Sequence, residues 1–185
     1  WAMRFLIQLG SALGTLFLLY FLRDAVGFER LFPGRTSEDG LMVMVLVYTV
    51  GVVIGALVSG SISDRSGRRR RNVLAASALM ALAAVLLALW PTWAMALAGA
   101  AVLGLGFGGY IAVEQALVSQ VLPTATARGK DLGILNIANS APQVLGPAVA
   151  AVLVTQLGGY PALHLATAAV TIGGSLLVLK VRSVA

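Results

Sequence analysis

The sequence predicts an all-α polytopic membrane bundle, and three observations carry that prediction. Apolar residues make up 59% of the 185 positions and charged residues 11%, with a mean hydropathy of +0.93, far from the balance of a soluble domain. Six apolar runs each approach the roughly 20 residues that a helix needs to cross a hydrocarbon core about 30 Å thick. Lysine and arginine gather on alternate connections between those runs.

The runs read as spans over 2–22, 40–62, 72–89, 94–121, 132–157 and 161–179, in one domain covering 1–185. In the first, Gln8, Ser11 and Thr15 recur at helical spacing as a polar stripe. Gly10 and Gly14 form a G-x-x-x-G pair that is expected to be packing surface. The turn Phe32-Pro33-Gly34-Arg35 separates it from the second span, which ends in the charged stretch Gly60 to Arg71. The third span stops at Trp90-Pro91-Thr92. The fourth carries Gly104-Leu-Gly106-Phe-Gly-Gly109, which matches G-x-G-x-x-G by letter. No strand precedes it, so its glycines are read as sites of helix approach and not as a dinucleotide loop. The fifth holds Pro142 and Pro147, read as kinks, and ends at Gly158-Gly159-Tyr160-Pro161; the sixth begins with His164 near its start.

Orientation follows from the basic residues. Arg4, Arg65, Arg68, Arg69, Arg70, Arg71, Arg128, Lys130, Lys180 and Arg182 fall on one side, ten in all, against Arg23, Arg30 and Arg35 on the other. Short basic loops stay in the cytoplasm, so both termini are expected inside. The opposite side carries Asp24, Glu29, Glu38 and Asp39, with Trp90 and Trp93 flanking a short turn at headgroup level.

Composition also excludes classes. The formal charge of +6 and pI near 10.5 arise from topogenic arginines, so nucleic acid is not an expected partner. There is no cysteine, hence no disulfide framework and no thiol chemistry. His164 is the only histidine and lacks Cys, His or carboxylate partners at ligand spacing, which argues for a structural role and against a metal. No arrangement of nucleophile, base and orienting group is visible, so neither an enzyme nor a cofactor is expected. Trp1 opens inside an apolar run without a basic leader, as a fragment would, and no cleavable signal pattern is present.

Gly60-Ser-Ile-Ser-Asp64-Arg65-Ser-Gly67-Arg68-Arg69-Arg70-Arg71 lies between the second and third spans. Gly60 is expected to permit close helix approach and Asp64 to accept hydrogen bonds at a helix junction. Gly67 is expected to permit a tight turn at positive φ, and the arginines to offer planar forks to carboxylates or helix-end carbonyls. The spacing G-x-x-x-D-R-x-G-R-R resembles the signature loop of the major facilitator superfamily of secondary transporters. That resemblance implies half of a twelve-helix carrier, with Gly60, Asp64, Arg65, Gly67, Arg68 and Arg69 as the gating loop. It also implies a partner: the missing amino-terminal six-helix half, or a second copy. Arg69 to Arg71 read equally as a solvated topogenic cluster.

Glu114 is the one acidic residue well inside an apolar span, and a carboxylate there is costly enough to be a functional candidate. Two roles stand open: a proton-titrating coupling site, or a structural salt bridge to a signature-loop arginine or Arg128. On the fifth span Asn136, Asn139 and Gln143 place three amides on one helical face beside the two prolines. They read as a cavity wall for a polar solute, together with Gln8 and Tyr110, or as interhelical hydrogen-bonding glue.

Gly129 to Gln143 is similar to the eleventh-helix entry of sucrose:proton symporters and related glycoside:cation carriers, with Gly133, Leu135, Asn136, Ala138, Pro142 and Gln143 matching. That similarity implies the carboxy-terminal half and a small polar solute, with a sugar as the narrower expectation, moved by proton- or cation-coupled alternating access. Gly146-Pro147 resembles a motif of drug:proton antiporters, although Ala150-Ala151 stand where that family has paired glycines. A drug:proton antiporter half is therefore the second expectation. A membrane assembly or regulatory subunit that moves nothing is the expectation from another class. The expected location is the cytoplasmic membrane of a bacterium, with the lipid bilayer, a small solute and a proton or other cation as partners.

Overall fold

The computed structural model describes the backbone of residues 2–67, 69–121 and 128–180, so Arg68 and Arg182 lie outside the described residues. All regular structure among them is helical. The first expected span divides into α1 (Ala2–Leu16) and α2 (Leu18–Phe21), bent by 42° about Phe17; a π-helical turn, Leu22–Val26, continues α2. A short α3 (Phe28–Leu31) follows, and then the long helices α4 (Ser37–Ser66), α5 (Arg69–Leu89), α6 (Trp93–Val121), α7 (Arg128–Gln156) and α8 (Gly159–Leu176).

Four helices, α4 to α7, are long and apolar enough to cross a membrane, and the bent α1–α2 pair makes a fifth. The sixth expected span, α8, has 18 residues, about 27 Å at 1.5 Å per residue. It is not among the helices that pass as spans by length and composition, and His164, Thr167, Thr171 and Ser175 are polar residues on its buried face.

Local chemistry sets the ends. The Thr36 N–H donates to Asp39 Oδ2 at 3.0 Å ahead of α4, and Glu29 Oε1 accepts from the Ser37 hydroxyl at 3.0 Å. Gly67 closes α4 at φ 62°, its N–H bonded to the Ser63 carbonyl at 2.9 Å, which is the positive-φ turn expected of it. The prolines do not interrupt the fifth span: α7 runs on through Pro142 and Pro147. Each removes an N–H, so the carbonyls four residues earlier, at Ala138 and Gln143, lack a helical donor.

α6 packs on α4 and α5, α1 packs on α7 and α8, and α5 packs on α8. Exchanging α1 for α6, α4 for α7 and α5 for α8 maps this set of neighbours onto itself. The pattern of neighbours is thus the same for α1, α4 and α5 as for α6, α7 and α8, as an internally repeated membrane bundle would have it. α4 and α7 are the least buried spans, with Leu57 67% and Val144 76% exposed in apolar rows that suit lipid or another helical unit.

Small residues set the tightest of these contacts. Gly51 and Gly55 of α4 interlock with Gly104 and Gly108 of α6: a Cβ at Gly108 would collide with the Val52 carbonyl, and one at Gly55 with the Leu105 carbonyl. Gly106 turns to α5 instead, against Ala76 and Met80, and Gly109 lies between Ser59 of α4 and Ala76 of α5. The dinucleotide-like string is therefore a two-sided packing surface, as its position in a membrane span suggested. Gly10 and Gly14 likewise admit Thr171 and Thr167 of α8. Gly60 departs from expectation, since a Cβ there would meet nothing within 4 Å, so no close approach within the chain requires it.

Gly108→Leu is expected to destabilise the bundle by roughly 2 kcal/mol or more, because backbone cannot move aside as a side chain can. Gly173→Ala, with nothing within 4 Å, is expected to fall within about 0.5 kcal/mol of the parent. Denaturant unfolding in detergent micelles compares the two.

Candidate functional site

Two features meet along the seam between α1 and α7. The first is a buried polar cluster. Arg4 Nε lies 3.1 Å from Glu114 Oε1 and donates to Asn139 Oδ1 at 2.7 Å, and Gln8 Nε2 donates to the same amide oxygen at 3.2 Å. The two charged side chains are 12% and 6% exposed. One cation thus ties α1 to both α6 and α7. Tyr110, a turn before Glu114, is fully buried with its hydroxyl beside the carboxylate.

Among the described residues Arg4 is a counter-charge of Glu114, because α1 brings its first turn beside the last two turns of α6. The signature-loop Arg68 and the Arg128 side chain, which the sequence offered in that role, lie outside the described residues. Arg4 counted only toward topology in the sequence reading. Its signal lay in the polar stripe: Arg4, Gln8, Ser11 and Thr15 follow one another at intervals of four, three and four residues on one face of α1.

The second feature is a cavity of about 450 Å³ bounded by α1, α4, α6 and α7. Its polar lining comes from Ser11, Thr15, Tyr48, Thr49 and Gln143, its apolar lining from residues such as Met44, Leu103 and Phe107, and among the described residues no charged side chain lines it. Thr15 and Thr49 spend their hydroxyl protons on carbonyls of their own helices, those of Ser11 at 2.8 Å and Val45 at 2.7 Å. Their oxygens therefore remain as acceptors. Ser11, Tyr48 and the Gln143 amide add groups that both donate and accept.

Of the expected cavity residues, only Gln143 lines it. Gln8 and Asn139 belong to the ion-pair cluster, where they act as interhelical glue. Tyr110 packs in the core with Val73, Met80 and Val113, because its face of α6 turns to α5. Asn136 is exposed, and among the described residues it joins neither feature. The three amides share a face but sit at different heights along α7, so neighbouring helices meet them separately. Ser11 and Thr15, from the weaker stripe, prove to be the better cavity markers.

At the signature loop Asp64 and Arg65 are exposed at the end of α4, without an ion pair among the described residues, and Arg69 is half-buried at the head of α5 with an interaction of its own. At the opposite end, Asp24 accepts from the Tyr160 hydroxyl at 2.7 Å and from Arg23 Nε at 2.8 Å, and Phe28 and Phe32 pack on Trp93. The first, third and fifth connections are thereby gathered at one end of the bundle. His164 is buried edge-on to Phe21 at 5.0 Å, within the packing between the first and last spans, and neither ring nitrogen finds a partner among the described residues.

Membrane-length helices packed around a cavity, with a charge pair buried beside it, define a multi-pass membrane protein. The family model described as Major Facilitator Superfamily matches residues 1–185, and the chain belongs to that superfamily, a family of transporters and not of enzymes. It is 30% identical over 122 residues to the multidrug resistance protein Stp of Mycobacterium tuberculosis, covering 66% of this chain and 22% of that protein. It is 36% identical over 104 residues to the probable metabolite transport protein CsbC of Bacillus subtilis, and 32% identical over 104 to the glucose transporter GlcP of Staphylococcus epidermidis. Each of those matches covers 56% of this chain and 22% of the relative. The matched segments thus span about a fifth of each of these relatives' length.

Arg4→Ala leaves the Glu114 carboxylate buried without its cation and is expected to cost about 3–5 kcal/mol. The double substitution Arg4→Met, Glu114→Met is expected to cost less than Arg4→Ala alone, since it removes the charge together with its counter-charge. Equilibrium unfolding in micelles ranks the two.

Proposed function

We propose that this chain is one six-helix half, the carboxy-terminal one, of a secondary carrier. With both termini in the cytoplasm of a bacterial cell, it moves a small uncharged, hydroxyl-bearing solute by proton- or cation-coupled alternating access. The observation that carries the proposal is the cavity. Its polar lining, Ser11, Thr15, Tyr48, Thr49 and Gln143, offers both hydrogen-bond donors and acceptors and carries no charge, which suits an uncharged hydroxyl-bearing solute, with a sugar as the narrower expectation. Glu114 serves as the coupling carboxylate, within reach of the cavity along α1 and α7. The exposed rows of α4 and α7 receive the second half or a second copy, and this unit rocks against it around the cavity. Asp64, Arg65, Arg68 and Arg69 set the balance between inward- and outward-facing states through partners outside this unit.

A second reading has its own support: the apolar majority of the cavity lining suits a lipophilic drug exchanged for protons, and one relative bears a multidrug resistance name. The Gly146 backbone lies close against Ala12 and Leu16 of α1, where the antiporter-like motif would act. A non-transporting subunit with the same fold makes the third reading.

Proteoliposomes holding the complete carrier under an imposed proton gradient separate the three readings. Uptake of a labelled hexose or polyol is expected, gradient-driven movement of a lipophilic cationic dye would favour the drug reading, and movement of neither would favour the subunit. Glu114→Gln is expected to abolish gradient-driven accumulation while exchange persists. Asp64→Asn is expected to lower the transport rate several-fold with insertion unchanged, and normal rates at normal expression would count against the loop as a gate.

A further inference from the structure

We infer that the solute this cavity takes is an uncharged amphiphile, a hydroxyl-bearing head joined to a short apolar tail, held in one orientation with the head toward the Arg4–Glu114 end. The inference rests on the proposed reading of the cavity as the solute site and names the chemistry that fits it.

The polar lining is gathered at one end. Along α1 and α2 the lining passes from Leu18, nearer the gathered connections, to Thr15 and Ser11, nearer the ion pair. Along α4 it passes in the same direction from Leu41, Met44 and Val45 to Tyr48 and Thr49. α7 adds Gln143, one turn beyond Asn139 of the ion-pair cluster. Packing shows the same division. Leu18, Leu41, Met44 and Ala100 pack with Phe21 and Phe28 at the connection end, Phe107 packs toward Ile7 and Tyr110, and Tyr48 touches both groups. Ser11 to Leu18 and Leu41 to Tyr48 are each seven positions, about 10 Å of helix, so the two walls change character over matching lengths. On α4 the boundary falls within one turn: the Thr49 hydroxyl donates to the Val45 carbonyl at 2.7 Å, which leaves its oxygen as an acceptor beside an apolar neighbour.

This division selects for a solute with two unlike ends. A hydroxylated head exchanges hydrogen bonds with Ser11, Tyr48, Thr49 and Gln143, while an apolar tail covers Leu18, Leu41, Met44 and Ala100. Turned round, the head would set its hydroxyls against apolar side chains without partners, and each unpaired hydroxyl adds to the cost. A bare hexose leaves the apolar end uncovered, and a wholly lipophilic solute leaves the polar groups unpaired. A charged group would find no counter-charge in the lining among the described residues. At about 450 Å³ the cavity falls within the roughly 300–1,000 Å³ of sites that enclose drug-sized ligands, so both parts have room.

The test is equilibrium binding to the complete carrier in lipid nanodiscs, less binding to empty nanodiscs. The probes are glucose and glycerol, their methyl to hexyl ethers, a hexyl ether without hydroxyls, and a lipophilic cationic dye. In at least one headed series, affinity is expected to rise about threefold per methylene up to a tail of about four carbons and then to level off, while partition into empty nanodiscs keeps rising. Val45→Thr and Thr49→Val keep side-chain shape at two exposed positions of the cavity mouth, so the fold is not at stake. Val45→Thr is expected to cut the advantage of butyl over methyl about threefold or more. Thr49→Val is expected to leave that advantage and weaken every headed probe on the order of fivefold, the loss of one hydrogen bond. Affinity flat with tail length, a rise that merely follows the empty nanodiscs, tightest binding by the headless ether or the dye, or equal effects of the two variants on the butyl advantage would overturn the inference. Gradient-driven uptake of the same probes is scored separately. Binding that follows tail length without uptake keeps this inference and removes the carrier reading, and uptake indifferent to tail length does the reverse.

Discussion

A carboxylate inside an apolar bundle must be answered by a cation from the same bundle, and the rest of this site depends on how Arg4 answers Glu114. In water such a pair would contribute little. Between three packed helices it is constrained by geometry, because the guanidinium has to reach the carboxylate from the first turn of α1 while staying out of lipid. Asn139 and Gln8 then follow as partners that satisfy what the ion pair leaves over. The cluster therefore fixes the height at which α1, α6 and α7 meet.

Above that cluster the bundle keeps charge out. Two threonine hydroxyls whose protons bond back to their own helices, together with Ser11, Tyr48 and Gln143, give a mostly apolar cavity a few uncharged hydrogen-bonding groups. The glycine contacts serve the same end from the other side. By bringing α4 against α6 at backbone distance, they hold the two walls that Tyr48, Thr49, Leu103 and Phe107 line.

Much of the fold was legible in the linear pattern. The apolar runs became helices within a few residues of where they were read, since a membrane-length apolar segment has no other way to satisfy its backbone. The site was legible only in part. Glu114 stood out because an isolated acid in an apolar run is conspicuous, but Arg4 sat near a chain end, where a basic residue is ordinarily read as an orientation signal. Asn136, Asn139 and Gln143 shared a helical face, yet they met exposed surface, Arg4 and the cavity respectively. Helical period reports direction and says nothing about what lies opposite.

The sequence by itself determined that this protein is a multi-span helical membrane bundle, that its signature loop turns at Gly67, and that Glu114 needs an answer. These are local matters of hydropathy, turn chemistry and the cost of buried charge. Only the tertiary structure decided that Arg4 supplies the answer, that Tyr110 belongs to the core, and that Ser11 and Thr15 belong to the cavity. Those assignments depend on which helices neighbour one another and at what height. That is set by small-residue contacts between residues far apart in the chain, such as Gly55 against Leu105 and Gly10 against Thr171.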